Sequence, residues 1–453
     1  MLSTKGWLLA LSAGTLYCVN QWLTVHGLKW PTTLLVLVLF GVVAITAVQP
    51  ALRRYLPAIF FLSVIGFPAY SADPYAIDYV APFSLAKFVA LGSLALMCRP
   101  ALSVYGISLF FIIVIATGMA VLLGRFGDIW AEVWYVILIV FALNTMGRKG
   151  LASSAHLLLS ALERIFYLLV PIAAFTYATG MHDERSGGTV VYFYGHWIGI
   201  ATTFAVYAAL SQQSTVFRVS WIRLTLLITT IYVCMASYQS AHFILFIVAV
   251  LIAMYQQRKR GGRTSNIFLP LIALTALLLA GTVILQRGET DSWLYLKISQ
   301  VFLLASGGFV EASNSVTIRV SQLISMFEQG NIWTILFGRG MSSIYFPEGA
   351  LWDSVIFHEA TFPERELASG QLQYIHEPVV MLLKWSGLVG LTLVILGLFG
   401  LRRITYIDRQ QATLVIVVFL LFFASSLHTG ILVTGLFILS KGVKLYVSTK
   451  SSH

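Results

Sequence analysis

Charged side chains are scarce in this 453-residue chain, where Asp, Glu, Lys and Arg make up 10% of the positions. Soluble domains carry about 25%, so an ordinary water-soluble globule is excluded. Cysteine is nearly absent: Cys18, Cys98 and Cys234 lie far apart, each inside an apolar stretch. Neither a disulfide framework nor a zinc spacing can be drawn from them. The alternating ten-residue pattern of a β-barrel strand is missing. So is a nucleotide-binding loop, since Gly261-Gly262 lies in a basic turn. No internal repeat is visible, which counts against the doubled architecture of many transporters. Acids are fewer than bases, 18 against 29, leaving a net charge of +11. In a membrane chain that excess has a simple source, because cytoplasmic loops accumulate Lys and Arg. No nucleic-acid partner is therefore implied.

What the chain does have is apolar length. Residues of the hydrophobic classes make up 58% of it, gathered into stretches long enough to cross a hydrocarbon core ~30 Å thick at 1.5 Å per residue. A helix satisfies its backbone within one segment, as lipid demands. The expected fold is all-α and integral to a membrane, a bundle of about 14 (12–14) transmembrane helices. The spans fall at roughly 7–23, 32–49, 55–71, 82–98, 103–124, 129–146, 162–180, 193–211, 219–237, 240–257, 266–286, 379–401, 411–427 and 430–447. Lys5 before an apolar run resembles a signal peptide, but without a convincing cleavage site it reads as a retained first span. The third span, with Pro57, Gly66 and Pro68, is the least regular and can be re-entrant.

Orientation follows from the bases. Arg53, Arg54, Arg99, Arg148, Lys149, Arg218, Arg258–Arg263, Arg402, Arg403 and Arg409 fall in alternate loops, while the opposite short loops hold only Lys29, Arg125 and Arg185. Both termini are then cytoplasmic. Residues 1–286 form an N-terminal bundle of about eleven spans, 287–378 a large outer loop, and 379–453 about three C-terminal spans.

The outer loop holds ten of the eighteen carboxylates and two of the nine histidines. It is expected to be partly helical. From Ser315 to Gln329, Val316, Val320, Leu323, Ile324 and Phe327 recur on one face, with Arg319, Gln322 and Gln329 on the other. Asn314 fits an N-cap and Gly330 a C-terminal stop. A second helix-like run covers Trp293–Leu304. Such helices can lie on a bilayer surface or cap a cavity in the bundle.

Chemistry concentrates at the loop's end, Gln371-Leu-Gln-Tyr-Ile-His376-Glu377-Pro378. A neutral His at the mouth of a span can act as a general base, or it can simply anchor the helix end. Downstream, Gly387 and Gly390 allow close helix approach. Arg287, Arg319, Arg339 and Arg365 lie in or beside the loop, and Arg suits bidentate phosphate binding. Arg339 sits between Gly338 and Gly340, where the backbone can come close to a phosphate. Lys384 lies about two turns into a span, a functional candidate unless it snorkels to the surface. His358-Glu359 and His376-Glu377 are too far apart for a recognised metal spacing, so no metal is expected. Tyr192, Tyr194, His196 and Trp197 fit an aromatic belt or a sugar-stacking surface. His182-Asp183-Glu184-Arg185 reads as a solvated turn.

From Arg319 to Gly390 the chain resembles the bacterial O-antigen ligase and O-antigen polymerase superfamily. In that family an Arg on a loop helix precedes a Gly-x-Gly turn. A His follows, then an amide or hydroxyl residue, nine others, Gly, two more and a small residue. Here Arg319, Gly338-Arg339-Gly340, His376-Glu377, Gly387 and Gly390 keep that spacing. Two positions depart from it: Glu377 replaces the amide or hydroxyl neighbour, and Gln239 stands where the family has Arg.

The resemblance implies a membrane glycosyltransferase of the bacterial inner membrane, working on polyprenyl-diphosphate-linked oligosaccharide on the periplasmic side. It implies polymerisation of repeat units, with ligation to lipid A-core as the alternative. A flippase for the same lipid-linked sugars is the rival from another class. The implied catalytic residues are His376 and Glu377. Arg319, Arg339, Arg287 and Lys384 are the implied diphosphate-binding residues. No cofactor is implied; membrane lipid, a chain-length regulator and a flippase are the implied partners.

Overall fold

The computed structural model describes residues 2–25, 29–67, 80–98, 102–145, 183–185, 188–190, 314–353, 364–373 and 378–404, with single positions between 157 and 168 and at 355, 362 and 375. The described chain is mostly helical. Its first half holds α1 (Leu2–Val25), α2 (Lys29–Val48), a 3-10 turn at Pro50–Tyr55, α3 (Leu56–Ile65), α4 (Val80–Cys98), α5 (Val104–Leu122) and α6 (Trp130–Thr145). A short hairpin follows, with Asp183–Arg185 antiparallel to Gly188–Val190. Residues 183–185 are thus paired strand rather than the solvated turn their polarity suggests. The second half holds α7 (Asn314–Glu328), α8 (Ile332–Phe337), α9 (Ala350–Asp353), α10 (Glu364–Ser369) and α11 (Pro378–Ile404). The expected spans 193–211, 219–237, 240–257, 266–286, 411–427 and 430–447, most of 162–180 and the helix Trp293–Leu304 lie outside the described residues.

Two described helices, Val104–Leu122 and Val379–Phe399, are long and apolar enough to cross a membrane, and three shorter apolar helices accompany them. α5 shows why its sequence makes a two-faced helix. Gly106, Leu109, Ile113, Ala116, Thr117 and Ala120 recur every three or four residues and are buried, while Phe110, Phe111, Ile115 and Met119 point outward. Its start is capped by Ser103, whose side chain accepts from Gly106 N at 3.0 Å. Ser103 N in turn donates to Asn144 Oδ1 at 2.7 Å, tying the start of α5 to the end of α6.

α3 departs from the expected span. Pro57 lies in its first turn and Gly66 caps its end, leaving ten helical residues. The 3-10 turn Pro50–Tyr55 runs directly into α3, and residues 68–71 of the expected span lie outside the described residues.

One hydrophobic core joins the bundle to the loop. Leu109, Ile113, Ile139, Ala142, Leu382, Trp385 and Leu398 belong to the same buried cluster as Tyr345, Trp352, Phe362 and Leu372. α7 meets that core with Ile318, Leu323 and Met326 and with a row of polar side chains beside them. Thr317, Ser321, Gln322 and Ser325 are buried, whereas Val320 and Phe327 are exposed. The interior supplies partners for this face: Gln322 Nε2 donates to Tyr345 Oη at 2.7 Å, and Trp352 Nε1 donates to Ser325 Oγ at 2.7 Å. Gln329 closes the end by exchanging hydrogen bonds with the Phe346 backbone. Gly330 follows without the left-handed φ of a helix stop. The chain restarts instead at Asn331, which caps α8 in a reciprocal box with Thr334.

Candidate functional site

The end of α5, the start of α6, the start of α11 and the loop segment 338–345 meet at one end of the bundle. Backbone pairing holds them. Gly127 N donates to Ser342 O at 2.7 Å and Ile344 N to Arg125 O at 3.2 Å, with Phe126 bridging to Ser343.

The Gly338-Arg339-Gly340 turn is wedged between two helices. Both glycines have φ near +84°, a region that L side chains avoid. A Cβ on Gly338 would lie 2.4 Å from Ser386 N, and one on Gly340 would lie 2.2 Å from Thr117 N. The opposing wall is shaped to match. α11 is broken at Gly387 (φ 62°, ψ −164°), where a Cβ would lie 2.6 Å from Gly338 N. The sequence reads Gly387 as a small residue for helix packing; in the structure it is a break in the helix. Breaking a helix frees carbonyls of the preceding turn, and the freed Lys384 O accepts from Arg339 N at 2.6 Å.

Arg339 is half-buried, and its Nη2 reaches Met326 O at 3.5 Å. Burial and then the nearby Arg125 charge push its guanidinium below the ordinary value. Among the described residues neither Arg125 nor Arg339 is paired with a carboxylate.

Beneath this cationic turn lies a buried ion pair. Lys384 Nζ contacts Glu132 Oε1 at 2.6 Å, with both side chains almost fully enclosed. Glu132 Oε2 accepts from Trp385 Nε1 at 2.7 Å and from Ser342 N at 2.7 Å. Lys384 also donates to Gln373 O at 2.7 Å. Gln373 then spans to the α5–α6 turn. Its Oε1 accepts from Asp128 N at 2.8 Å, its Nε2 donates to Asp128 O at 2.5 Å, and its own N donates to Glu366 Oε2 at 3.0 Å. Ser342 holds the one positive φ found outside glycine among the described residues, 59°. That strain is over-determined by its N–H on Glu132 and its hydroxyl on Asp128 O at 2.7 Å. Each buried charge here has several partners, as burial requires.

The structure brings Arg339 and Lys384 together through one backbone hydrogen bond and places Arg319 half-buried on α7. His376, Glu377 and Arg287 lie outside the described residues, as do His358, Glu359, Gln239 and the Tyr192–Trp197 group. Sequence reasoning missed Glu132 and Ser342, took Arg125 only as a loop charge, and gave Gln373 no role of its own within the cluster it singled out. Glu132 carried a readable signal, since an acid just inside an apolar span calls for a partner. Lys87 carried the same one; it is buried on α4 with Nζ 5.6 Å from the Trp134 ring centre. Gln373 and Ser342 carried none, because their roles rest on backbone groups.

No protein-family description, curated protein or solved structure matches the chain.

Proposed function

We propose that this chain is a membrane-embedded glycosyltransferase that polymerises oligosaccharide repeat units carried on polyprenyl diphosphate, with the large loop on the outer, periplasmic side of a bacterial inner membrane. The observation that carries the reading is the Gly338-Arg339-Gly340 turn. Two helices long enough to span a membrane grip its glycines, and they hold an arginine beside Arg125 with no carboxylate on either among the described residues. Such a site attracts an anion at the end of a bundle, and diphosphate is the anion a lipid-linked donor presents.

In this reading the acceptor hydroxyl gives its proton to His376 and bonds to the anomeric carbon. The anomeric C–O bond to phosphate breaks, and polyprenyl diphosphate leaves with the electron pair. Arg319 and Arg339 stabilise the departing charge, with Arg287 in support. Glu377 orients the imidazole. The charge on Lys384 is met by Glu132, so Lys384 serves the site through the backbone carbonyl that holds Arg339. The full bundle of about fourteen spans and the N-in, C-in topology belong to the same proposal. The Lys and Arg asymmetry supports them.

The test is a strain lacking the chain, complemented with wild type, and analysis of the glycan's attachment. Without the chain, single repeat units are expected, and wild type should restore long ones. Long chains left on polyprenyl diphosphate in the strain lacking the chain would make the protein a ligase, and unchanged polymer without the chain would overturn the reading.

A further inference from the structure

α7 and α8 both turn apolar side chains away from the protein. On α7 the polar face is spent on Tyr345, Trp352 and the Phe346 backbone, leaving Val320 and Phe327 outside. On α8, Ile332 and Trp333 are 62% and 66% exposed, and Phe337 is exposed as well. The Trp333 and Phe337 rings stack at 6.1 Å, nearly parallel at 17°. An amphipathic helix in water buries its apolar face and hydrates its polar one. α7 buries Ile318 and packs Leu323 and Met326 on the core, yet leaves Val320 and Phe327 exposed on the side away from it.

Three further observations say what it meets. α8 packs against both α5 and α11, the two helices long enough to cross a membrane. These also expose apolar side chains, among them Ile115, Leu388 and Leu396, so the apolar surface runs on from the bundle to α8. Trp is the residue most at home where hydrocarbon gives way to headgroups. The turn that follows α8 carries Arg339, beside the exposed Arg125, and cations at that depth complement lipid phosphate.

We propose that the outward face of α7 and α8 seats in the headgroup region of a phospholipid leaflet, as an interfacial platform that holds the Arg125–Arg339 turn at the depth of lipid phosphates. Glu328, exposed at the end of α7, lies at the watery margin of this platform. The platform does not depend on glycosyl transfer, so its failure and the failure of that activity are separately visible.

The experiment uses the full chain in nanodiscs of phosphatidylethanolamine and phosphatidylglycerol, with its three native cysteines replaced by Ala. An environment-sensitive fluorophore is attached at Trp333→Cys, at Phe327→Cys or, as a water-facing control, at Glu348→Cys. Nitroxide-bearing lipid and aqueous iodide serve as the two quenchers. The labels at 333 and 327 should be quenched several-fold more by the lipid nitroxide than by iodide, with the opposite order at 348. Iodide quenching at 333 and 327 equal to that at 348 would put the face in water and overturn the proposal. Protection from both quenchers would mean that protein covers it, whether a second copy or another segment of this chain, and would overturn it equally.

Discussion

Lys384 and Glu132 stand 252 residues apart in the chain, and their charged atoms meet at 2.6 Å inside the protein. Around this contact the start of α6, the start of α11 and the loop's last segment share one hydrogen-bonded network. Removing either charge alone leaves the other buried and unpaired, which costs about 3–5 kcal/mol. Glu132→Gln and Lys384→Met should each lower the thermal midpoint of the detergent-solubilised protein markedly. The Glu132→Gln/Lys384→Met double variant, which keeps an acceptor for Trp385 and Ser342, should recover much of the loss. Equal midpoints for wild type and both single variants would show that the pair is not formed.

The glycines of the cationic turn are separable by their surroundings. Gly338→Ala and Gly340→Ala drive a Cβ into neighbouring backbone and also strain a positive φ. Gly370 has a φ of +63°, and a Cβ added there would meet nothing within 4 Å. Gly370→Ala should therefore cost only the left-handed strain, about 1–2 kcal/mol. Thermal midpoints of the three variants should place 370 well above 338 and 340. A ranking with all three alike would remove the wedge from the account.

Tyr345 ties stability to pH. Burial first, then the charges of Glu366 and Glu132, hold its phenol well above the ordinary value of 10.0, against the Gln322 hydrogen bond. The fold therefore favours the neutral phenol. That contribution is complete below about pH 10, and it declines above as the unfolded chain ionises and the folded one does not. Tyr345→Phe should flatten the alkaline fall in midpoint. At neutral pH it should cost about 1–3 kcal/mol, because the Gln322 Nε2–Tyr345 Oη hydrogen bond is lost. An unchanged alkaline slope would contradict this.

The helices were legible where periodicity was strong. α5 lies within a residue or two of its expected span because its small and apolar positions recur so regularly. The irregularity of α3 was legible from Pro57 and Gly66, but its end at Ile65 was not, since apolar composition runs on unchanged to Phe67. The amphipathicity of α7 was readable, yet which polar residues would turn inward was not: that depended on Tyr345, Trp352 and Phe346 arriving from later in the chain. The Gly338-Arg339-Gly340 turn was visible as a motif. Its counterpart at Gly387 was visible only as a small residue, because a broken helix and a packed one both call for glycine. Glu132 announced that it needs a partner, but that the partner is Lys384, 252 residues on, could not be read from the sequence.

His376 is the proposed base, and the polysaccharide ladder reads it in cells. Complementation with His376→Ala, expressed to the wild-type level, should leave single repeats where wild type gives a ladder. A full ladder would remove His376 from the mechanism.

The most direct measurement uses purified full-length protein in nanodiscs with polyprenyl-diphosphate-linked oligosaccharide, followed by mass spectrometry of the products, for wild type and for Arg339→Ala. Wild type should build chains of repeat units on polyprenyl diphosphate and release one free polyprenyl diphosphate for each bond formed. Arg339→Ala should remain folded and lose most of that activity. Wild-type protein that moves the substrate across the bilayer without elongating it, or an Arg339→Ala variant that elongates at the wild-type rate, would contradict the account.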